Sequence, residues 1–162
     1  MTQPTNLIIR AHPRENVRVT FSDNTVLEGD IGATIEDFLQ AKEAMVPFPS
    51  PMMGGILNGR LRELSYPVTQ DSTLEPVLFR DSDGRRIYRR SLVLLLTTAL
   101  EETFTGAQID VGYVVSGGGF YCSTIDRPPL TQDELAQLEA HMHQIVAEDR
   151  PITKQIVSLE DA

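Results

Sequence analysis

The chain has 162 residues, 41% hydrophobic and 23% charged. That is a globular balance with room for one medium domain or two small ones, and it excludes disorder, collagen and coiled coil as first readings. Acidic residues outnumber basic ones 23 to 14, for a net charge of -9. No dense Lys/Arg cluster offers a strong counterion-release grip on nucleic acid, so tight nucleic-acid binding is not expected.

Cys122 is the single cysteine. An internal disulfide is therefore impossible, and a reducing, cytoplasmic compartment is expected. The longest apolar run, Leu92–Leu96, is far short of the ~20 residues of a membrane span, so no membrane partner is expected. Met1–Asn6 shows no charged stretch leading into an apolar one, so no signal peptide is read.

In chain order, Arg18–Phe21 alternates polar and apolar residues and predicts a half-buried strand. Ser22-Asp23-Asn24 forms a turn, and Thr25–Gly29 completes a hairpin. Thr34 suits a helix N-cap, with Asp37 placed to favour the helix dipole. Ile35, Phe38, Leu39 and Ala41 are expected on that helix's buried stripe. Pro47, Pro49 and Pro51 end it, and Met52–Gly55 extends the irregular stretch. Asn58-Gly59 predicts a type I′ turn, which requires two residues with positive φ. Leu74–Phe79 is a further strand, which Pro76 places at an edge or a bend.

Asp81-Ser82-Asp83-Gly84 reads as a polar breaker and domain boundary. A helix over 89–104 follows, with Leu92, Leu95, Leu96, Ala99 and Leu100 buried. Gly106 suits its cap. Gln108–Val115 and Phe120–Ile125 are strands joined by a glycine turn at Ser116–Gly119. Thr131 and Glu134 form a capping box for a helix with Leu135, Leu138, Met142, Ile145 and Val146 as its stripe. Ile152–Val157 is expected as an edge strand.

Few residues offer chemistry. Gly117-Gly118-Gly119 is not followed by Gly-Lys-Ser/Thr or by a helix, so it reads as a turn rather than a phosphate loop. Cys122 sits in a strand and reads as a small core residue. His141 and His143 are two apart on a helix and diverge, and His12 has no visible partner, so no metal site is read. His143 is placed beside the apolar stripe and His141 towards solvent. Arg85, Arg86, Arg89 and Arg90 are either solvated and ion-paired or contact an anion near the helix start. Glu101-Glu102 at a helix C-terminus invites an ion pair with a distant Arg.

A family resemblance adds to this. Arg18–Phe21 with Asp23, Thr34, Leu57-Asn58-Gly59-Arg60, Leu64-Ser65-Tyr66-Pro67, Leu74 and Phe79 resemble a TGS domain, the β-grasp module found at the N-terminus of threonyl-tRNA synthetases and in some GTPases. Asp83-Gly84, Ile87–Ser91, Gly106-Ala107, Val111-Gly112, Gly119–Tyr121, Leu130-Thr131 and Met142 resemble the start of the following synthetase domain, which edits mischarged tRNA. The resemblance implies an α+β chain of two domains, a TGS-like β-grasp over 5–82 and an editing-domain-like α+β domain over 85–158. Editing domains carry His-x-x-x-His on the first helix, and the matching positions here are Arg90 and Leu94. Neither can shuttle a proton near neutral pH.

The same head without its histidines is similar to the N-terminal part of a bacterial uridine kinase-like family, and Glu160-Asp161-Ala162 resembles the point where the helix leading to the kinase domain begins. That likeness implies a non-catalytic, ligand-binding accessory head of a nucleoside kinase. The P-loop kinase domain would lie beyond this chain, as its partner, and would use ATP and Mg. No cofactor is expected in this chain itself. Arg89, Arg90, Ser91, Tyr121 and Cys122 are the expected contacts for a small-molecule or nucleotide ligand in the former editing pocket. The alternatives are a degenerate aminoacyl-tRNA editing hydrolase and an RNA-binding module.

Overall fold

The computed structural model describes residues 13–116, 118–150, 152, 157 and 158. His12, Gly117, residues 5–12 of the first expected domain, Glu160–Ala162 and most of the expected 152–157 strand lie outside them. The chain forms two compact units, Met1–Tyr88 and Arg89–Ala162, and its class is mixed α+β. No helix among the described residues is long and apolar enough to cross a membrane.

The first unit is built on β1 (Asn16–Phe21), β2 (Val26–Asp30), α1 (Ile35–Met45), β3 (Met52–Leu57), β4 (Arg60–Arg62) and β5 (Ser72–Leu78). The sheet order is β2-β1-β5-β3-β4. β1 and β5 run parallel, with Val19 opposite Ser72 and Phe21 opposite Leu74, and every other pair is antiparallel. This order, with one helix packed on the sheet, fits a β-grasp. Alternation explains the face: Val17, Val19 and Phe21 are buried while Asn16 and Arg18 are exposed. With Ile35, Phe38, Leu39, Val68 and Leu74 they make the core. Each fully buried Leu or Ile contributes about 1.5–3 kcal/mol by leaving water.

Helix α1 starts where its sequence says it should. Thr34 Oγ1 accepts the Asp37 amide at 3.2 Å, and Asp37 Oδ2 accepts the Thr34 amide at 2.7 Å. The amides of Ile35 and Glu36 donate to the carbonyls of Tyr66 and Leu64, so the first turn is satisfied by the 64–68 segment. Ala41 is exposed, contrary to expectation, and Lys42 is buried instead.

Three expectations need correction in this unit. Met52–Gly55 is not irregular but part of β3. A Cβ on Gly55 would come within 2.7 Å of Leu74 Cδ1 and 2.8 Å of Ile35 Cγ2, so the glycine serves close helix–sheet approach rather than a loop. Pro76 lies in a strand with neighbours on both sides, but β1 pairs with β5 only as far as Leu74. By Pro76 the strand pairs with β3 alone, and a missing donor on the other side is harmless. Ser82-Asp83-Gly84 is no breaker, because α2 spans Ser82–Thr103. The Asp81 carbonyl accepts the Arg85 amide at 3.0 Å, and a Cβ on Gly84 would lie 1.9 Å from the Leu78 carbonyl oxygen. Gly84 lets the first helical turn press on the end of β5.

The second unit holds the rest of α2, then β6 (Gln108–Val114), β7 (Phe120–Ile125) and α3 (Gln132–Ala147). β6 and β7 form an antiparallel hairpin. Thr131 and Glu134 make the expected capping box. The core is Ala99, Leu100, Leu138 and Ile145, with Leu95, Leu96, Phe104 and Met142 around it. Leu92, Leu135 and Val146 are exposed. The apolar stripes of α2 and α3 are wider than the surface that a two-stranded hairpin covers.

Candidate functional site

In the second unit, β7 and the start of α3 enclose a cavity of about 420 Å³. Leu96, Ile109, Leu130 and Leu138 form its apolar wall, and Tyr121, Cys122, Ser123, Thr124 and Arg127 bring polar atoms to it. The Thr124 hydroxyl donates to the carbonyls of Arg127 and Pro128, at 3.1 Å each, which ties down the segment after β7. Arg127 donates to Glu134 Oε1 at 2.6 Å, and its guanidinium carbon lies 5.2 Å from the centre of the Phe104 ring. The bond to the Thr131 amide and the one from Arg127 hold the Glu134 carboxyl below the usual range.

Burial, with a smaller push from Asp110, raises the Cys122 thiol above its ordinary value, so the thiolate is scarce at neutral pH. No histidine lines the cavity. Tyr121 is half exposed and stacks on Tyr113 with ring centres 5.3 Å apart.

Of the five expected contact residues, Tyr121 and Cys122 line this cavity and Arg89, Arg90 and Ser91 do not. Arg89 turns its guanidinium towards Gly118, where a Cβ would lie 3.0 Å from Nη2. Gly118 has φ +89 and its amide donates to the Val115 carbonyl, as in the expected glycine turn. Arg90 and Ser91 are exposed. Leu94, at the second position where editing domains carry an imidazole, is exposed as well. Arg86 pairs with Asp83 at 3.4 Å, and Arg85 donates to the Arg80 carbonyl. Nothing local in the sequence marks Arg127, since Asp126-Arg127-Pro128-Pro129 reads only as the end of a strand.

The expected ion pair of Glu102 is present. Its two oxygens meet His141 Nε2 and Arg150 Nη1, both at 2.7 Å. Hydrogen bonds from His141 and then Arg150 hold the Glu102 carboxyl below the usual range. The histidine placement is reversed from expectation: His141 is half-buried against Glu102 and His143 faces solvent. Among the described residues no group of three or more His, Cys, Asp or Glu could hold a metal ion.

No family model matches the chain. A threonine–tRNA ligase of Desulforamulus reducens is 29% identical over 146 residues, 90% of this chain and 22% of that enzyme. One from Polaromonas naphthalenivorans is 34% identical over 110 residues, 68% of this chain and 17% of that enzyme. A de novo designed protein based on ubiquitin shares 18% identity over 43% of this chain and 93% of its own, with a TM-score of 0.32. The chain thus spans about a fifth of the length of the curated relatives it matches. These relatives overturn the expectation of a uridine kinase-like accessory head, together with the kinase and transferase reading. Arg90 and Leu94 do not by themselves select a kinase head over a synthetase one. The homologues of this chain are threonine–tRNA ligases.

Proposed function

We propose that the chain is a synthetase-related head that contacts tRNA without hydrolysing its aminoacyl ester. It comprises a TGS-like β-grasp domain over about 5–82 and, over about 85–158, a domain like the start of the synthetase editing domain. The observation that carries this reading is the 29% identity running through 146 residues of a threonine–tRNA ligase. A local motif match would not extend over both units. Ester hydrolysis needs a group that exchanges protons near neutral pH. Arg90 and Leu94 stand where editing domains place imidazoles, and the Cys122 thiol is held protonated. With a net charge of -9, binding is weak and salt-sensitive.

The test has two arms. Fluorescence anisotropy with labelled tRNA at low salt should give a dissociation constant of roughly 1–100 μM that weakens steeply as salt is added. Incubation with mischarged tRNA should release amino acid at the spontaneous rate. Absence of binding at low salt would remove the tRNA role, and release above background would remove the non-catalytic half.

A further inference from the structure

We propose that the cavity beside the β3–β4 hairpin is where the chain holds single-stranded RNA, with a base stacked at Tyr66 and Arg62 and a phosphate on Arg60. The proposal rests on the tRNA-contact reading and gives that contact a place. The cavity measures about 370 Å³ and is lined by Arg60, Arg62, Tyr66, Thr69 and Gln70 among others, with no Asp or Glu in its wall. In a chain with 23 acidic residues, such a wall is locally positive. Arg60 and Arg62 alternate along β4 and so share a face. Elsewhere in the first unit, Arg14, Arg18, Lys42 and Arg86 are each neutralised by Asp71, Glu28, Asp23 and Asp83. Among the described residues Arg60, Arg62, Arg80 and Arg85 have no acidic partner, and of these four Arg60 and Arg62 face this cavity. Two like charges held at one opening favour an anion between them.

The geometry favours a nucleotide over a bare anion. The Arg62 guanidinium carbon lies 4.8 Å from the centre of the Tyr66 ring, a flat pair of the kind on which unstacked bases rest. Tyr66 is steadied by packing against the core. The hairpin tip is steadied too, since Asn58 and Gly59 take φ 48 and 75. Asn58 also accepts the Thr73 amide at 2.8 Å and donates to Ser72 at 3.1 Å. The arginines therefore project from an anchored turn, and the volume suits one nucleotide rather than a duplex.

The experiment is anisotropy titration of the full chain with labelled tRNA and with a ten-nucleotide oligouridylate, for the native protein and three variants of matched thermal stability. Arg60→Gln with Arg62→Gln should weaken both complexes about tenfold and flatten the oligouridylate salt slope by about 0.7, for the one phosphate on Arg60. Arg62→Lys keeps the charge and loses the flat stack, and should weaken the oligouridylate complex severalfold. Arg80→Gln, outside the cavity, should leave both unchanged. Native-strength tRNA binding by the double variant would overturn this site while leaving the tRNA reading intact. Failure of the native chain to bind either RNA would overturn both. Displacement of oligouridylate by polyglutamate of equal charge would overturn base recognition and assign the cavity to acidic peptides.

Discussion

Lys42 Nζ lies 2.5 Å from Asp23 Oδ2 and 2.8 Å from Thr25 Oγ1, with its side chain only 9% exposed and the ammonium 5.6 Å from the centre of the Phe21 ring. One buried cation thus fastens α1 to the β1–β2 turn. The hydrogen bond from Lys42, then the one from the Thr25 amide, pulls the Asp23 carboxyl from 3.8 down to about 2. A lowered folded-state value means stability present above the unfolded value and lost as pH falls through the folded one. Asp23→Asn should therefore lower the melting temperature at pH 7, and the gap to the native chain should close as pH drops from about 4 towards 2. Thermal melts across that range decide the matter; a gap independent of pH would show that the carboxylate charge plays no part.

Gly84 meets the Leu78 carbonyl oxygen so closely that any side chain collides with backbone. Gly84→Ala should cost about 3 kcal/mol or more, since backbone rather than a rotatable side chain must give way. Gly32 has φ +97 and open space around its Cβ position. Gly32→Ala should cost only about 1 kcal/mol, the backbone term alone. Urea unfolding of the two variants checks the order.

Cys122 should alkylate slowly. Its thiol is raised by burial and by Asp110, so iodoacetamide at pH 7.5 should modify it several times more slowly in the folded chain than in urea. Asp110→Asn should speed the reaction slightly. Faster modification in the folded state would mark an activated nucleophile and reopen hydrolysis.

Glu102 joins α2 to His141 on α3 and to Arg150 beyond it. All three are partly exposed, so screening should matter. Glu102→Gln should lower the melting temperature at low salt, with most of the difference gone in 1 M salt. Because the carboxyl sits below its ordinary 4.5, this contribution is present above that pH and fades as acid is added. A salt-independent difference would point to packing rather than charge.

Much of this architecture is written in short stretches of chain. Thr34 with Asp37 and Thr131 with Glu134 locate helix starts because a cap is satisfied within four residues. Asn58-Gly59 locates a turn for the same reason. What escapes a local reading depends on distant neighbours. Gly54, Gly55 and Gly84 look like loop residues until the atoms opposite them are known. Lys42 looks solvated until Asp23 and Thr25 are brought to it. Leu135 and Val146 carry the right spacing, but burial requires a partner surface that the hairpin does not extend to them. Each cavity follows the same rule: in the second unit Cys122 and Tyr121 could be named from their strand, whereas Arg127 required the fold, and in the first unit so did the Arg62–Tyr66 pair.

The parallel register of Val19 with Ser72 and of Phe21 with Leu74 carries a consequence for biosynthesis. The first strand finds its central neighbour only after some fifty intervening residues have been made, and that loop must close before the core can form. On the ribosome, the β1–β2 hairpin and α1 emerge with their greasy faces bare and wait for β5. Any pause in translation ahead of Leu78 therefore prolongs the interval in which a half-made sheet is open to chaperones or to aggregation.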